Sequence, residues 1–241
     1  MNILSIGNSF SQDATRYLHQ IAKADGVELN CFNLFIGGCS FYRHFKNMKG
    51  DLKEYTLEMN GESTGFYVAL KEALLNRQWD VITVQQSSFE SVDFNHYTPY
   101  ITELVSYIRE LSPKAKLYIH QTWGYETGSE KIHRLGYEKY QEMFADVEKA
   151  YEKAKEAISA DGIIKSGEML GQLLQNGIEK IHRDTFHLSL GLGRFATGLL
   201  WYKTLTGNPV SDNSFCDFDE EVSESEIKLI KKCVTDITER K

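Results

Sequence analysis

Two rhythms alternate along the chain. In short runs, Ile3-Leu4-Ser5-Ile6, residues 27–36, Val81-Ile82-Thr83-Val84-Gln85, residues 116–120 and Gly162-Ile163-Ile164, apolar and β-branched residues predominate. Their length and composition predict strands buried on both faces. Between them, apolar positions recur every three or four residues, as on a helix with one face against a core. Residues 13–24 place Ala14, Leu18, Ile21 and Ala22 in this way, with Gly26 as the stop; helices over 69–76, 98–111, 137–160, 188–205 and 224–238 follow. Strands alternating with helices of these lengths predict a three-layer α/β/α sandwich around a mainly parallel sheet.

One stretch departs from this rhythm. Asn60-Gly61 separates residues 55–59 from a second extended run through Tyr67, which predicts a hairpin and makes 41–68 a small excursion. No repeat or low-complexity linker divides the chain, and 3 prolines make no Pro-rich hinge, so residues 1–241 are expected to form a single domain. With 27 basic against 34 acidic residues, the net charge of −7 argues against a nucleic-acid partner, which needs clustered Lys and Arg. No apolar run approaches the roughly 20 residues that cross a bilayer. The first residues lack the pattern of a secretory signal, so a cytoplasmic protein without a membrane partner is expected; the oligomeric state is not legible. Cys31, Cys39, Cys216 and Cys233 are widely spaced, which removes the basis for a C-x-x-C zinc or redox site. They are expected to be mostly reduced and partly buried, with Cys39 beside the candidate site. The acidic stretch 216–226 is expected to be a solvated surface segment.

The chemistry lies at the two ends. Gly7-Asn8-Ser9-Phe10-Ser11 follows the first strand, and in an α/β sheet the first strand-to-helix turn faces the ligand crevice. Ser9 is therefore placed as a nucleophile, although a serine there, Ser9 or Ser11, is also a good helix cap. Asp184-Thr185-Phe186-His187 supplies what a nucleophile needs: His187 as general base and Asp184 to orient it and stabilise its cation. By themselves, Asp184 and His187 read equally well as a turn and a cap.

Together, the serine after strand one and the late Asp-x-x-His resemble the SGNH (GDSL-like) hydrolase superfamily over most of the chain. Within it, Gly7 to Phe10, the Gly37-Gly38-Cys39-Ser40 turn and Gln85-Gln86 resemble a group of small bacterial proteins described as a domain of unknown function. The resemblance implies a flavodoxin-like strand order. It also implies an oxyanion hole made by the backbone N–H groups of Ser9 and Gly38 and by a side-chain amide at the end of the third central strand. The usual Gly-x-Asn is absent there, and Val84-Gln85-Gln86-Ser87-Ser88 stands in its place. Glutamine carries the same amide on a longer stem; with a side-chain period of two, one glutamine faces the site, Gln86 being preferred and Gln85 the reserve. Asn8 likewise stands where an aspartate is more familiar.

Trp123 and Gln85 are candidate substrate-binding residues, Trp123 reading equally well as core packing. His120 and His182 are expected to be supporting residues. Acyl transfer of this kind requires no cofactor and no metal. The function expected is a serine esterase cleaving small acyl groups, acetyl among them, from a carbohydrate or other polar alcohol, its partner a small-molecule ester. The alternatives are a lipase-like or thioesterase activity on longer chains and a catalytically silent carbohydrate- or metabolite-binding module.

Overall fold

The apolar runs assemble into one seven-stranded sheet, described together with its helices over residues 1–240 in a computed structural model. In chain order the elements are β1 (Asn2–Gly7), α1 (Ser9–Thr15), α2 (Leu18–Ala24), β2 (Asn30–Phe35), α3 (Phe41–Gly50), β3 (Tyr55–Met59) and β4 (Glu62–Val68). Then come α4 (Leu70–Asn76), β5 (Val81–Val84), a 3-10 turn at Phe94–His96, α5 (Tyr100–Leu111), β6 (Lys116–His120) and α6 (Glu130–His133). The last elements are α7 (Tyr140–Ile158), β7 (Gly162–Ile164), α8 (Ser166–Gln175), α9 (Leu192–Thr206) and α10 (Glu224–Glu239).

The strand order is β4-β3-β2-β1-β5-β6-β7. The five strands from β2 to β7 are parallel, with Ile6 opposite Leu34 on one side and Val84 on the other. Helices α1, α2, α8, α9 and α10 pack together on one face, and α3, α4, α5 and α7 on the other, completing the three layers. Because β2 and β5 flank β1 on opposite sides, the chain reverses its direction of travel across the sheet there. Such a switch point opens a crevice at the carboxyl end of the central strand, and the residue after β1 enters it.

The excursion at 41–68 is helix α3 followed by a two-strand extension of the sheet. β3 pairs antiparallel with β2 and β4 with β3. Their turn has positive φ at Asn60 (53°) and Gly61 (87°), as a two-residue type I′ turn requires. A Cβ at Gly61 would stand 2.1 Å from the Arg16 carbonyl oxygen, so glycine is needed there for space as well as for φ.

Several boundaries differ from expectation, α9 for one beginning at Leu192 and not at 188, and two of the differences have a clear local cause. The helix expected over 13–24 begins earlier and is broken: α1 and α2 meet at Tyr17, whose hydroxyl donates to Leu190 O and accepts from Asp219 N. The strand expected from 27 begins at Asn30, because the backbone N–H groups of Gly26 and Val27 close the end of α2 on Lys23 O and Ala22 O. Among the described residues no helix is long and apolar enough to cross a membrane.

Candidate active site

Ser9 opens α1, so the cap of that helix is the residue before it. Asn8 is extended (φ −147°, ψ −156°), and its Oδ1 accepts from Phe10 N at 3.0 Å. The same Oδ1 accepts from Gln85 Nε2 at 2.8 Å, while Nδ2 donates to Cys39 O and Gln86 O at 3.0 and 3.3 Å. All four bonding capacities of the amide are thereby used in a buried position. An aspartate could not donate to those two carbonyls, which gives Asn8 its physical reason. Ser11 is also turned inward, its hydroxyl 2.8 Å from both Asn8 O and Asn33 Oδ1. Capping and bracing thus fall to its neighbours, and the Ser9 hydroxyl is left to the crevice.

There it meets His187. Ser9 Oγ lies 2.9 Å from His187 Nε2, and His187 Nδ1 lies 2.7 Å from Asp184 Oδ2. Asp184 Oδ1 also accepts from the backbone N–H of His187 at 2.8 Å and of Phe186 at 3.3 Å. Partial burial disfavours the Asp184 charge, but the His187 ring and these two N–H groups outweigh it and hold the carboxyl below its usual range. An ionised Asp184 makes Nδ1 the donor and leaves Nε2 to accept the Ser9 proton. Thr185, inside this tight loop, has φ of 95°, a left-handed conformation that a β-branched residue rarely adopts.

The loop is clamped to α1 by a residue the sequence reading did not single out. Asp13, one helical turn beyond Ser9, is fully buried. Its carboxylate accepts from Arg183 Nη1 at 3.0 Å through both oxygens, from Arg194 Nε at 2.9 Å and from Leu188 N at 3.0 Å. Ser9–His187 and Asp13–Leu188 are therefore two successive rungs between one helix face and one loop. The i+4 spacing of an acid from the serine was the available signal. Asp219 extends the cluster by pairing with Arg16 and Arg194. That part of the acidic segment 216–226 is thus structural, in contrast to its expected role as solvated surface.

Trp123 is fully buried, stacked on Phe10 with centroids 3.9 Å apart, and donates from Nε1 to Phe186 O at 2.8 Å. It supports the histidine loop from behind and does not line the crevice, so its assignment as a substrate-binding residue is corrected. The two glutamines need the same correction. β5 ends at Val84, and past it the alternation that would have sent one side chain to the site no longer operates. Gln86 is fully buried; its Oε1 accepts from Phe41 N and Ser87 N, both at 2.9 Å, and its Nε2 donates to His96 O at 3.1 Å. Gln85 bridges Asn8 to His120, whose Nδ1 lies 2.8 Å from Gln85 Oε1 and whose Nε2 lies 3.0 Å from Ser166 Oγ. Neither amide faces the crevice, because buried amides bond to whatever backbone and side-chain partners stand nearest.

The other histidines follow the same logic. Burial pushes His120 down to about 3 and His182, bonded to Gly124 O, down to about 4, so both are neutral supports. All four cysteines are free. Burial pushes the Cys39 thiol up to about 12, which removes it as a nucleophile.

Around Ser9 and His187 lies a cavity of 620 Å³. Gly38, with φ of 61° and open space where a Cβ would stand, contributes a wall. Its N–H has no acceptor among the described residues, and neither has a first-turn N–H such as that of Ser9 within its own helix. Phe35, Phe89, Phe186 and Tyr125 supply aromatic walls; Ser40, Ser87, Ser88, Glu90 and Lys131 supply polar ones. Of these, Ser40, Ser87, Ser88 and Phe186 stand within the motifs singled out in the sequence, and none is among the candidate site residues named there. Among the described residues, no three His, Cys, Asp or Glu side chains converge as a metal site.

The architecture matches that of SGNH and GDSL-like hydrolases. A protein from Slackia heliotrinireducens assigned as an SGNH hydrolase aligns with a TM-score of 0.61 at 22% identity, over 85% of this chain and 98% of that one. One from Parabacteroides merdae assigned as a GDSL-like lipase aligns with a TM-score of 0.56 at 13% identity, over 86% and 95%. At such identities the likeness is one of fold. More particularly, the chain belongs to the DUF4886 family, described as a domain of unknown function, whose family model matches residues 2–237. The crystal structure of a DUF4886 family protein from Bacteroides uniformis is similar, with a TM-score of 0.91 at 32% identity over 98% of this chain and 93% of that one. Comparison with curated proteins finds no match.

Proposed function

We propose that this chain is a serine ester hydrolase acting on small acyl esters, acetyl among them, of a carbohydrate or other polar alcohol. The observation that carries this is the series Ser9 Oγ, His187 Nε2, His187 Nδ1 and Asp184 Oδ2, at 2.9 and 2.7 Å. Ser9 attacks the ester carbonyl as His187 takes its proton. The tetrahedral oxyanion is held by the N–H groups of Ser9 and Gly38, and on collapse His187 returns the proton to the leaving alcohol. Water, deprotonated by the same imidazole, then releases the acid and restores Ser9. The hydroxyls of Ser40, Ser87 and Ser88 on the cavity wall suit a polar alcohol.

A second substrate class is favoured by Phe35, Phe89 and Phe186 in the same cavity, which suit a longer acyl chain. Hydrolysis of 4-nitrophenyl esters from acetate to octanoate by wild type and Ser9→Ala tests both. Turnover that falls with chain length and drops about 10³-fold or more in Ser9→Ala is expected. Equal rates in the two proteins would remove the nucleophile and leave a binding module; a preference for octanoate would select the longer-chain substrates.

A further inference from the structure

Lys131 stands apart from the other cations of its neighbourhood. Arg134 pairs with Glu130 and Lys180 with Glu126, but the Lys131 ammonium makes no ion pair or hydrogen bond among the described residues. Instead it lies 3.1 Å above the centre of the Phe186 ring and 5.8 Å from that of Tyr125. Both rings line the cavity of Ser9 and His187, as does Lys131 itself. The Phe186 ring is in turn 3.9 Å from the His187 ring, so the ammonium and the base flank the same aromatic group. Ring faces hold a cation in place without neutralising it, and they leave its N–H donors free for an oxygen anion. The other charged group on the cavity wall, Glu90, lies toward Cys39 and Tyr97, whereas Lys131 lies in the field of Asp184 and Arg134. Lys131 is thus the cationic side chain among the residues lining the cavity, set on its Phe186 side.

We propose that Lys131 determines specificity by binding a carboxylate carried on the ester substrate, on its alcohol or its acyl part. This rests on the esterase assignment made above and narrows it: the favoured esters are anionic, and the charged group docks beside Phe186, one ring away from the reacting centre. Such recognition is compatible with a small acyl group, since the charge can sit on the leaving alcohol.

The test compares matched acids and methyl esters. For the alcohol side the pair is 4-acetoxybenzoate and methyl 4-acetoxybenzoate; for the acyl side it is monophenyl adipate and methyl phenyl adipate. The readout is the ratio of kcat/KM for acid over methyl ester. In wild type at low salt the acid of one pair is expected to be favoured, and the pair that shows it identifies which side carries the charge. In Lys131→Met the ratio should fall about tenfold, equivalent to about 1.4 kcal/mol, and Lys131→Arg should keep most of it. Raising the salt should lower the wild-type ratio and leave that of Lys131→Met flat.

A wild-type ratio at or below one for both pairs, a ratio preserved in Lys131→Met, or equal losses on acid and methyl ester would each overturn the proposal. The last outcome would mark Lys131 as a prop for the Phe186 loop. Failure of the esterase assignment is read separately, by titrating 4-acetamidobenzoate and its methyl ester into Ser9→Ala with and without Lys131→Met. Lys131-dependent binding of the acid there supports the carboxylate site even if no ester turns over. Adipic acid monoanilide and its methyl ester serve the acyl side in the same way, and equal or absent binding of acid and methyl ester in both pairs overturns it.

Discussion

Replacing Asp13 by asparagine tests whether the rung below Ser9–His187 holds the catalytic geometry. The substitution keeps shape but turns one acceptor into a donor facing Arg183 and Arg194, and it removes the charge that four hydrogen bonds now serve. Breaking a buried pair by removing one partner costs about 3 to 5 kcal/mol. The two guanidinium side chains retain 27% and 14% exposure, so water relieves part of their loss and the lower end, about 3 kcal/mol, is expected. For a chain of this length that corresponds to a fall in Tm of about 6 to 12 °C, within the total stability of a typical domain. Leu188 N loses its anchor at the same time, and the adjacent His187 gains freedom relative to Ser9. Misplacement of about 1 Å can reduce rate about 10²-fold. Asp13→Asn should therefore remain folded at 20 °C, with kcat for 4-nitrophenyl acetate reduced about 10- to 100-fold and KM changed much less. Thermal unfolding, and steady-state kinetics at 20 °C, read the two effects independently. If Tm falls as expected but kcat in the folded variant is unchanged, Asp13 supports only the fold, and the two-rung account of His187 positioning is refuted.

Two further outcomes follow from the buried polar groups. His44 and His120 are held down to about 3, and His182 to about 4, by burial. The unfolded chain therefore takes up three protons near its ordinary value of about 6.5 that the fold refuses; stability is fully present above that pH and is lost as the pH falls through it. The loss between pH 7 and pH 5 is about 2 kcal/mol per histidine, so the urea midpoint should fall by about 2 M for an m near 3 kcal/mol/M; a shift below about 0.5 M would refute the neutral buried histidines. Gln86→Leu leaves Phe41 N, Ser87 N and His96 O without their partners and should destabilise by about 3 kcal/mol or more. A loss of about 10² to 10³ in kcat at unchanged Tm is what removing an oxyanion donor produces, and that result would return Gln86 to the active site.

The strands and most helices were legible because burial on two faces, or on one stripe, leaves a period in the sequence. Ile3 to Ile6, Val81 to Val84 and residues 116–120 read directly as strands. α8 did not read as a helix because Gly167 and Gly171 interrupt its pattern. The space around them explains both: a Cβ at Gly167 would stand 2.3 Å from Thr122 O and from the Phe144 ring, and one at Gly171 would press on Tyr140 at 3.1 Å. Glycine there serves close packing, a relation between distant segments that local propensity does not record.

The candidate site divides along the same line. Ser9, Asp184 and His187 were legible because strand-end position and the Asp-x-x-His spacing are local, and the sheet's switch point then brings the serine and the histidine together across 178 positions. Gln85, Gln86 and Trp123 have the right side chains near strand ends, yet which surface each one faces depends on what packs behind it. There, Asn8, His120, Phe41 N, Ser87 N and Phe186 O claim their polar atoms. Sequence alone determined the layers of the fold and the groups able to react, because periodicity and short-range spacing are properties of neighbours in the chain. Only the tertiary structure decided that Asp13 clamps the histidine loop and that Lys131 stands on the cavity wall against Phe186, without an ion-pair partner among the described residues. Hydrogen-bond and charge balance is set by groups that meet in space.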